Sequence, residues 1–485
     1  MYVAALMAQL LVWLLVVTHL IYRPSFSIYH PAALYSCFHF LVFVLRPILA
    51  YAYGYDDGLY RAYGFVPNDA DKIMVLVITT VGFVVFTAMS IYYGRSEVRF
   101  LSAEKVEYER NHLRKAFFIT LLCLAPLAWY SIGVSFSGNV DRIVDPATGH
   151  IINVQGNGYA TDAQLMAVSL CALFAWIMRF RLIAIIPVMG IVGVRAGLGS
   201  RGPMVAILAM VTLLYAYEKR VRRPTFKVLA VFVLAAAIFR MVGDDREGLT
   251  RMLTQPAPTT EMAASDEGRG PLESMDYANS VFMEYLVGVV PERSGGYNYF
   301  MDIMEVFTAP IPRAWWSGKP AGSPVVLVNL FDYGTPIGMT ISLPGEGWYS
   351  LGWLGVILWC GLWGALLGRW YERFASGQQS IYATLAYLTF FPVLIIGYRD
   401  GVLMSVLKQA FWYLTPVLLW YFFARKVLLV PSFETFWRRK AVLQAAGENS
   451  STTGPAGALR TSLQAALPPA VLRRRRALAS TAPER

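Results

Sequence analysis

The chain has 485 residues, of which 56% are hydrophobic and 15% charged, with a formal net charge of +11. Soluble domains carry about 25% charged residues, so these proportions exclude a soluble multidomain enzyme, a disordered chain and a fibrous repeat. The surplus of Lys and Arg (42 against 31 Asp and Glu) is what cytoplasmic loops of a membrane protein collect, so no nucleic-acid partner is inferred.

Apolar runs of roughly 17–25 residues mark transmembrane helices. In chain order they predict an all-α polytopic membrane protein with about eleven spans. Eight fall near 2–22, 31–53, 73–93, 116–136, 163–179, 182–197, 203–218 and 226–243. Three more fall near 349–368, 381–397 and 402–424. The first run has Arg23 after it, no basic residue before it and no small-residue cleavage site, so it reads as a retained span.

Loop charge sets the expected orientation. Arg95, Arg99, Lys105, Arg110, Arg114 and Lys115 follow the third span, and Lys219, Arg220, Arg222, Arg223 and Lys227 follow the seventh. Both loops are expected inside, which leaves the N-terminus outside and the C-terminus inside. The chain then divides into helices 1–8 (1–243), a large outward-facing loop (244–348), helices 9–11 (349–426) and a basic cytoplasmic tail (427–485). That tail, Ala/Ser/Pro/Arg-rich toward its end with Arg473 to Arg476, is expected to be disordered and to touch anionic membrane lipids.

Cys37, Cys123, Cys171 and Cys360 all lie inside apolar runs without a CxxC, and the five histidines form no HExxH. Neither a disulfide framework nor a metal site is indicated, and no cofactor is expected. Asp69-Ala70-Asp71 matches a short acidic metal motif that arises readily by chance.

The informative residues are charges at membrane depth. Arg46, Arg240 and Lys408 fall within spans, Arg195 and Arg201 flank the turn 197–200, and Arg399-Asp400 occupies the turn 397–401. All belong to the expected outer half, where the loop rule does not put cations, so together they point to a bound polyanion. Taken singly, Arg46 and Lys408 equally suit snorkelling to head groups, and Arg399 suits pairing with Asp400. A second group, 310–320, sets Trp315 and Trp316 beside Arg313 and Lys319, which suits sugar stacking and phosphate pairing, or an interfacial segment. A third, 344–349, sets Glu346 between glycines just before Trp348, as a base for a sugar hydroxyl or as an arginine's counter-ion. His150, in an outer loop, and Asp400 are the substitute bases.

Gly199-Ser200-Arg201-Gly202, Ile311-Pro312-Arg313 with Lys319-Pro320, Gly345-Glu346-Gly347-Trp348-Tyr349 leading into Leu351 to Gly355, and Arg399-Asp400-Gly401 carry a resemblance. In order and placement they resemble the oligosaccharide repeat-unit polymerases, the Wzy-type family of O-antigen and exopolysaccharide assembly, over most of residues 1–425. The resemblance implies a glycosyltransferase of the bacterial inner membrane. At the outer face it would join undecaprenyl-pyrophosphate-linked glycans, with a chain-length regulator and a flippase as further partners. Pyrophosphate is then the leaving group, and guanidinium groups can stabilise it without a metal. Arg201 and Arg399 are expected to bind it, with Arg240, Arg313, Arg195 and Lys408 assisting; Glu346, Asp400 or His150 would be the catalytic base, and Trp315, Trp316 and Trp348 would hold sugar. An O-antigen or O-glycan ligase, a polyprenyl-phosphate-sugar glycosyltransferase, and a lipid-glycan transporter or scaffold are the alternatives.

Overall fold

The computed structural model describes residues 1–55, 60, 64–136, 142–144, 151–153, 159, 162–197, 201–224, 272–273, 277–311, 315–316, 318–320, 322–334, 339–377 and 380–450. Among them the regular secondary structure is helical apart from an antiparallel pair, β1 (Arg142–Val144) and β2 (Ile151–Asn153). Six described helices are long and apolar enough to cross a membrane, so this is a multi-pass membrane protein. They are α1 (Tyr2–Tyr22), α2 (Pro31–Tyr53), α3 (Asp69–Tyr93), α4 (Ala103–Phe136), α9 (Ser342–Ala375) and α10 (Ile381–Asp400). Between them come α5 (Leu165–Ile177), α6 (Leu182–Gly197), α7 (Arg201–Glu218) and α8 (Asn279–Val289), and after them α11 (Leu403–Phe422) and α12 (Phe433–Ser450).

Local chemistry fixes several of these ends. α3 starts in a reciprocal cap: Asn68 Oδ1 accepts from the Asp71 amide at 2.8 Å, and Asp71 Oδ2 accepts from the Asn68 amide at 3.2 Å. That role accounts for Asp71 without a metal. α2 starts at Pro31, where the imidazole of His30 accepts from Ala32 N at 3.1 Å; burial lowers the His30 pKa to about 4, which keeps the ring neutral. α2 also carries a π-helical stretch, Phe40–Leu45.

The chain divides into two compact units. In the first (Met1–Leu101 with Thr120–Leu419), α1, α3, α7 and α9 all finish at one end, where α2 and α10 begin. Ile28 N donates to Arg222 O, Arg99 N donates to Ala375 O, and Tyr371 Oη donates to Ser25 O at this end. Its charges include Arg95, Arg99, Lys219, Arg220, Arg222 and Arg373. In the second unit (Ser102–Ile119 with Trp420–Arg485), Arg425 pairs with the buried Glu109 at 2.6 Å and Lys105 with Glu434 at 2.9 Å. Tyr108 packs on Phe436 there, their ring centroids 4.8 Å apart.

Several expectations are corrected. α4 begins at Ala103 instead of near 116, because the stretch read as a loop is rich in Glu, Lys and Arg, all good helix formers. The start of the tail, read as disordered, is helical over Phe433–Ser450, with Phe433, Phe436 and Trp437 supplying ring contacts. The stretch 244–348, expected to be an outward-facing loop, contains α8, buried at every residue but Gly288. Finally, helix already begins at Ser342, ahead of the ninth expected span (349–368), and is broken at Leu351 and Gly352. The eighth expected span, 226–243, and the tail beyond 450 lie outside the described residues.

Candidate functional site

The site is built on a fold-back in α9. Its helix is interrupted at Leu351 (φ −151°) and Gly352 (φ +58°, ψ −138°), the second a left-handed conformation that glycine adopts without strain. The two halves, 342–350 and 353–375, run antiparallel. Gly347 lies against Gly355 so closely that a Cβ on Gly355 would overlap the Gly347 carbonyl oxygen. Pro344 and Cys360 both reach Gly82 of α3, at 2.9 and 3.1 Å from where its Cβ would be. Both pairs are centred on the same break, as a hairpin requires.

This hairpin lays the 342–350 half back along the 353–375 half. Trp359 Nε1, about 10 Å of helix below Gly352, donates to the Gly401 carbonyl at 3.2 Å. The turn Arg399-Asp400-Gly401, expected at the outer surface, therefore sits well below the hairpin tip. Gly401 (φ +79°) is pressed onto the Ser342 carbonyl and would bring a Cβ within 3.2 Å of Glu346 Cβ. Non-helical backbone at membrane depth is tolerated where protein buries it or water reaches it. Here protein buries it.

Glu346 is 2% exposed. Ser350 Oγ donates to its Oε1 at 3.2 Å, and Oε2 has no hydrogen-bond partner among the described residues. Asp302, from the segment Met301–Met304, is its electrostatic neighbour. That segment is seated by Asn298 N on Tyr349 O (3.0 Å), by Tyr299 N on Ser350 O (2.9 Å), and by the Phe300 ring packed at a tilt on Trp359, centroids 5.1 Å apart. A buried carboxylate with a bare oxygen is costly, and such groups at membrane depth mark functional sites.

α8 ties the turn to the rest. Asn279 Nδ2 donates to the carbonyls of Arg399 (2.9 Å) and Thr340 (2.7 Å), while the next residue, Ser280, accepts from Arg46 Nη1 at 3.1 Å. Arg399 Nε is buried and has no partner among the described residues, and Asp400 accepts from Ser405 Oγ. The Arg399 backbone is thus anchored, while Nε of its guanidinium keeps a donor unused among the described residues.

The other expected residues divide sharply. Arg195 is 4% exposed near the end of α6, with Nη2 unpartnered among the described residues. Lys408 is not a free cation, as the phosphate role required: its Nζ pairs with Asp162 Oδ2 at 2.7 Å. Arg201 opens α7, with its side chain outside the described residues, as are Arg240, Arg313 and His150 altogether. Trp315 is 84% exposed and Trp316 36%. Trp348, expected to hold sugar, is buried, donates to the Val290 carbonyl at 3.0 Å and packs edge-on against Trp353. Among the described residues no group of three His, Cys, Asp or Glu side chains is arranged to hold a metal ion.

Sequence reading missed Asn279, Ser280, Asp162 and Asp302. One signal was available for the first two: an apolar run of 10–14 residues is more often a buried or re-entrant helix than a loop, and 279–290 is such a run. Asp162 and Asp302 carry no comparable local mark. Comparison with protein-family models, curated proteins and solved structures finds no match for this chain.

Proposed function

We propose that this protein polymerises lipid-pyrophosphate-linked oligosaccharide repeat units into a surface polysaccharide, at the outer face of a bacterial inner membrane. In this reading the basic end of the first unit faces the cytoplasm, the N-terminus is periplasmic, and about eleven spans cross the bilayer. The acceptor sugar's hydroxyl oxygen attacks C1 of the donor glycan, and its proton passes to the Glu346 carboxylate. The bond from C1 to the pyrophosphate oxygen breaks, and undecaprenyl pyrophosphate leaves with its charge met by Arg399. Positioned bases contribute about 10²- to 10⁴-fold, and fixed guanidinium groups are strong partners for developing phosphate charge. Trp315, exposed on the segment after Met301–Met304, offers a face for sugar stacking.

The observation that carries the reading is a bare, buried carboxylate on the α9 hairpin with the anchored Arg399 turn, at the end of α10, packed against it. The test is glycan size in a deletion strain complemented with wild type, Glu346→Gln or Arg399→Lys. Glu346→Gln keeps the acceptor for Ser350 while removing the base. Single repeat units on the final carrier, with both variants at normal abundance, are expected. An unchanged polymer ladder overturns the proposal, and long polymer stranded on undecaprenyl pyrophosphate assigns the chain as a ligase.

A further inference from the structure

A second polar site lies at the same end of the first unit and is not used by the reaction above. A cavity of about 460 Å³ opens beside Arg46, lined also by Tyr2, Tyr51, Tyr60, Lys72 and Glu284. That volume lies in the range of ligand pockets, about 300–1,000 Å³. We propose that it binds the phosphate of a membrane-lipid head group.

Arg46 is 2% exposed; one terminal nitrogen is spent on Ser280, and its buried Nε has no acceptor among the described residues. Lys72 lies over two rings, with Nζ 6.0 Å from the centre of Tyr2 and 5.7 Å from that of Tyr60. Neither cation forms an ion pair among the described residues. Of the two carboxylates lining the cavity, Glu284 accepts from Tyr60 Oη, and Asp69 stands in the first turn of α3, where the helix dipole favours it. A planar guanidinium beside a compact ammonium is a pairing that suits tetrahedral phosphate oxygens.

The lipid part of the assignment comes from the walls. α2 and α3 are membrane-spanning helices, and the cavity is at the ends where tyrosines gather. Tyr51 and Tyr53 are 60% and 65% exposed, as rings at head-group level are. The inference does not rest on the polymerase reading. It does carry a structural link to that site, since Ser280, which holds Arg46, follows Asn279, which holds the Arg399 turn.

The test uses the full chain in phosphatidylcholine nanodiscs, with bound lipid counted by native mass spectrometry. Undecaprenyl phosphate, phosphatidylglycerol and inorganic phosphate are titrated separately. Saturable binding of a lipid phosphate is expected, weakened about tenfold or more in Lys72→Gln and Arg46→Gln, as loss of a charge-assisted hydrogen bond implies. Lys72 is only half-buried, so Lys72→Gln decides the matter should Arg46→Gln fail to fold. Preference for undecaprenyl phosphate supports the proposal with a lipid-linked glycan as occupant. Equal binding of both lipids, lost in Lys72→Gln, supports it with bulk phospholipid as occupant. Undiminished binding in Lys72→Gln, non-saturable uptake, or binding of inorganic phosphate without either lipid overturns it.

Discussion

Two glycines of one helix give the sharpest test of the hairpin. Gly355 and Gly361 both lie in α9 and look alike in sequence, yet their surroundings differ. A methyl at Gly361 would meet Val85 Cγ1 at 3.5 Å and Met89 Cγ at 3.9 Å, ordinary contact with flexible side chains. A methyl at Gly355 would overlap the Gly347 carbonyl oxygen and stand 2.9 Å from its carbon, against backbone that cannot rotate away. Alanine is favoured over glycine in a helix by roughly 0.5–1 kcal/mol, so Gly361→Ala should gain about that much. Gly355→Ala receives the same gain but incurs about 1–3 kcal/mol of overpacking, a net loss of up to about 2.5 kcal/mol. The assay is thermal unfolding of the purified protein in one detergent, followed by tryptophan fluorescence. Gly355→Ala should melt below wild type and Gly361→Ala at or above it. If Gly355→Ala melts at or above wild type, the two halves of α9 do not lie in contact, and the placement of Glu346 beside Gly401 loses its basis.

Other expectations follow from single contacts. Trp348→Phe should lower the melting temperature by removing the donor to Val290 O and leaving space in a buried site, about 1–3 kcal/mol, whereas Trp315→Ala should change stability by less than about 0.5 kcal/mol while reducing polymer yield; equal effects on stability would contradict the burial difference. Burial, with Asp302 beside it, pushes the Glu305 carboxyl above its ordinary range, against the pull of Lys319 and Lys408. A raised carboxyl pKa means the folded state binds that proton more tightly, so the cost is present above the folded pKa and fades as pH falls toward the ordinary carboxylate value. Glu305→Gln should therefore stabilise the protein at neutral pH with a gain that vanishes below about pH 4; a difference constant with pH would refute this. Lys408→Ala should cost no more than about 1 kcal/mol in chemical denaturation, because the pair with Asp162 is partly exposed (46% and 28%); a larger loss would show that the pair organises the region.

Hydropathy and charge were enough to establish a multi-pass helical membrane protein, to place the cores of six spans, and to find the basic loops that gather at one end. These are sums over contiguous residues, so a linear reading captures them. Glu346 and Arg399 were also legible as unusual charges in apolar surroundings. Their proximity was not. It depends on Gly347 meeting Gly355 across a break at Gly352 and on Gly401 fitting against Ser342, contacts between residues that hydropathy treats as interchangeable. The role of α8 was hidden because polar residues on either side lowered the average of its segment, although 279–289 alone is apolar. Lys408 and Trp348 mark the converse limit: a lysine within a span and a tryptophan at its edge look available in sequence. Only the tertiary structure brings Asp162 to the first and the Val290 carbonyl to the second. Which polar groups remain unpaired depends on partners distant in the chain, so folding decides which of the charges visible in the sequence are free to bind a ligand.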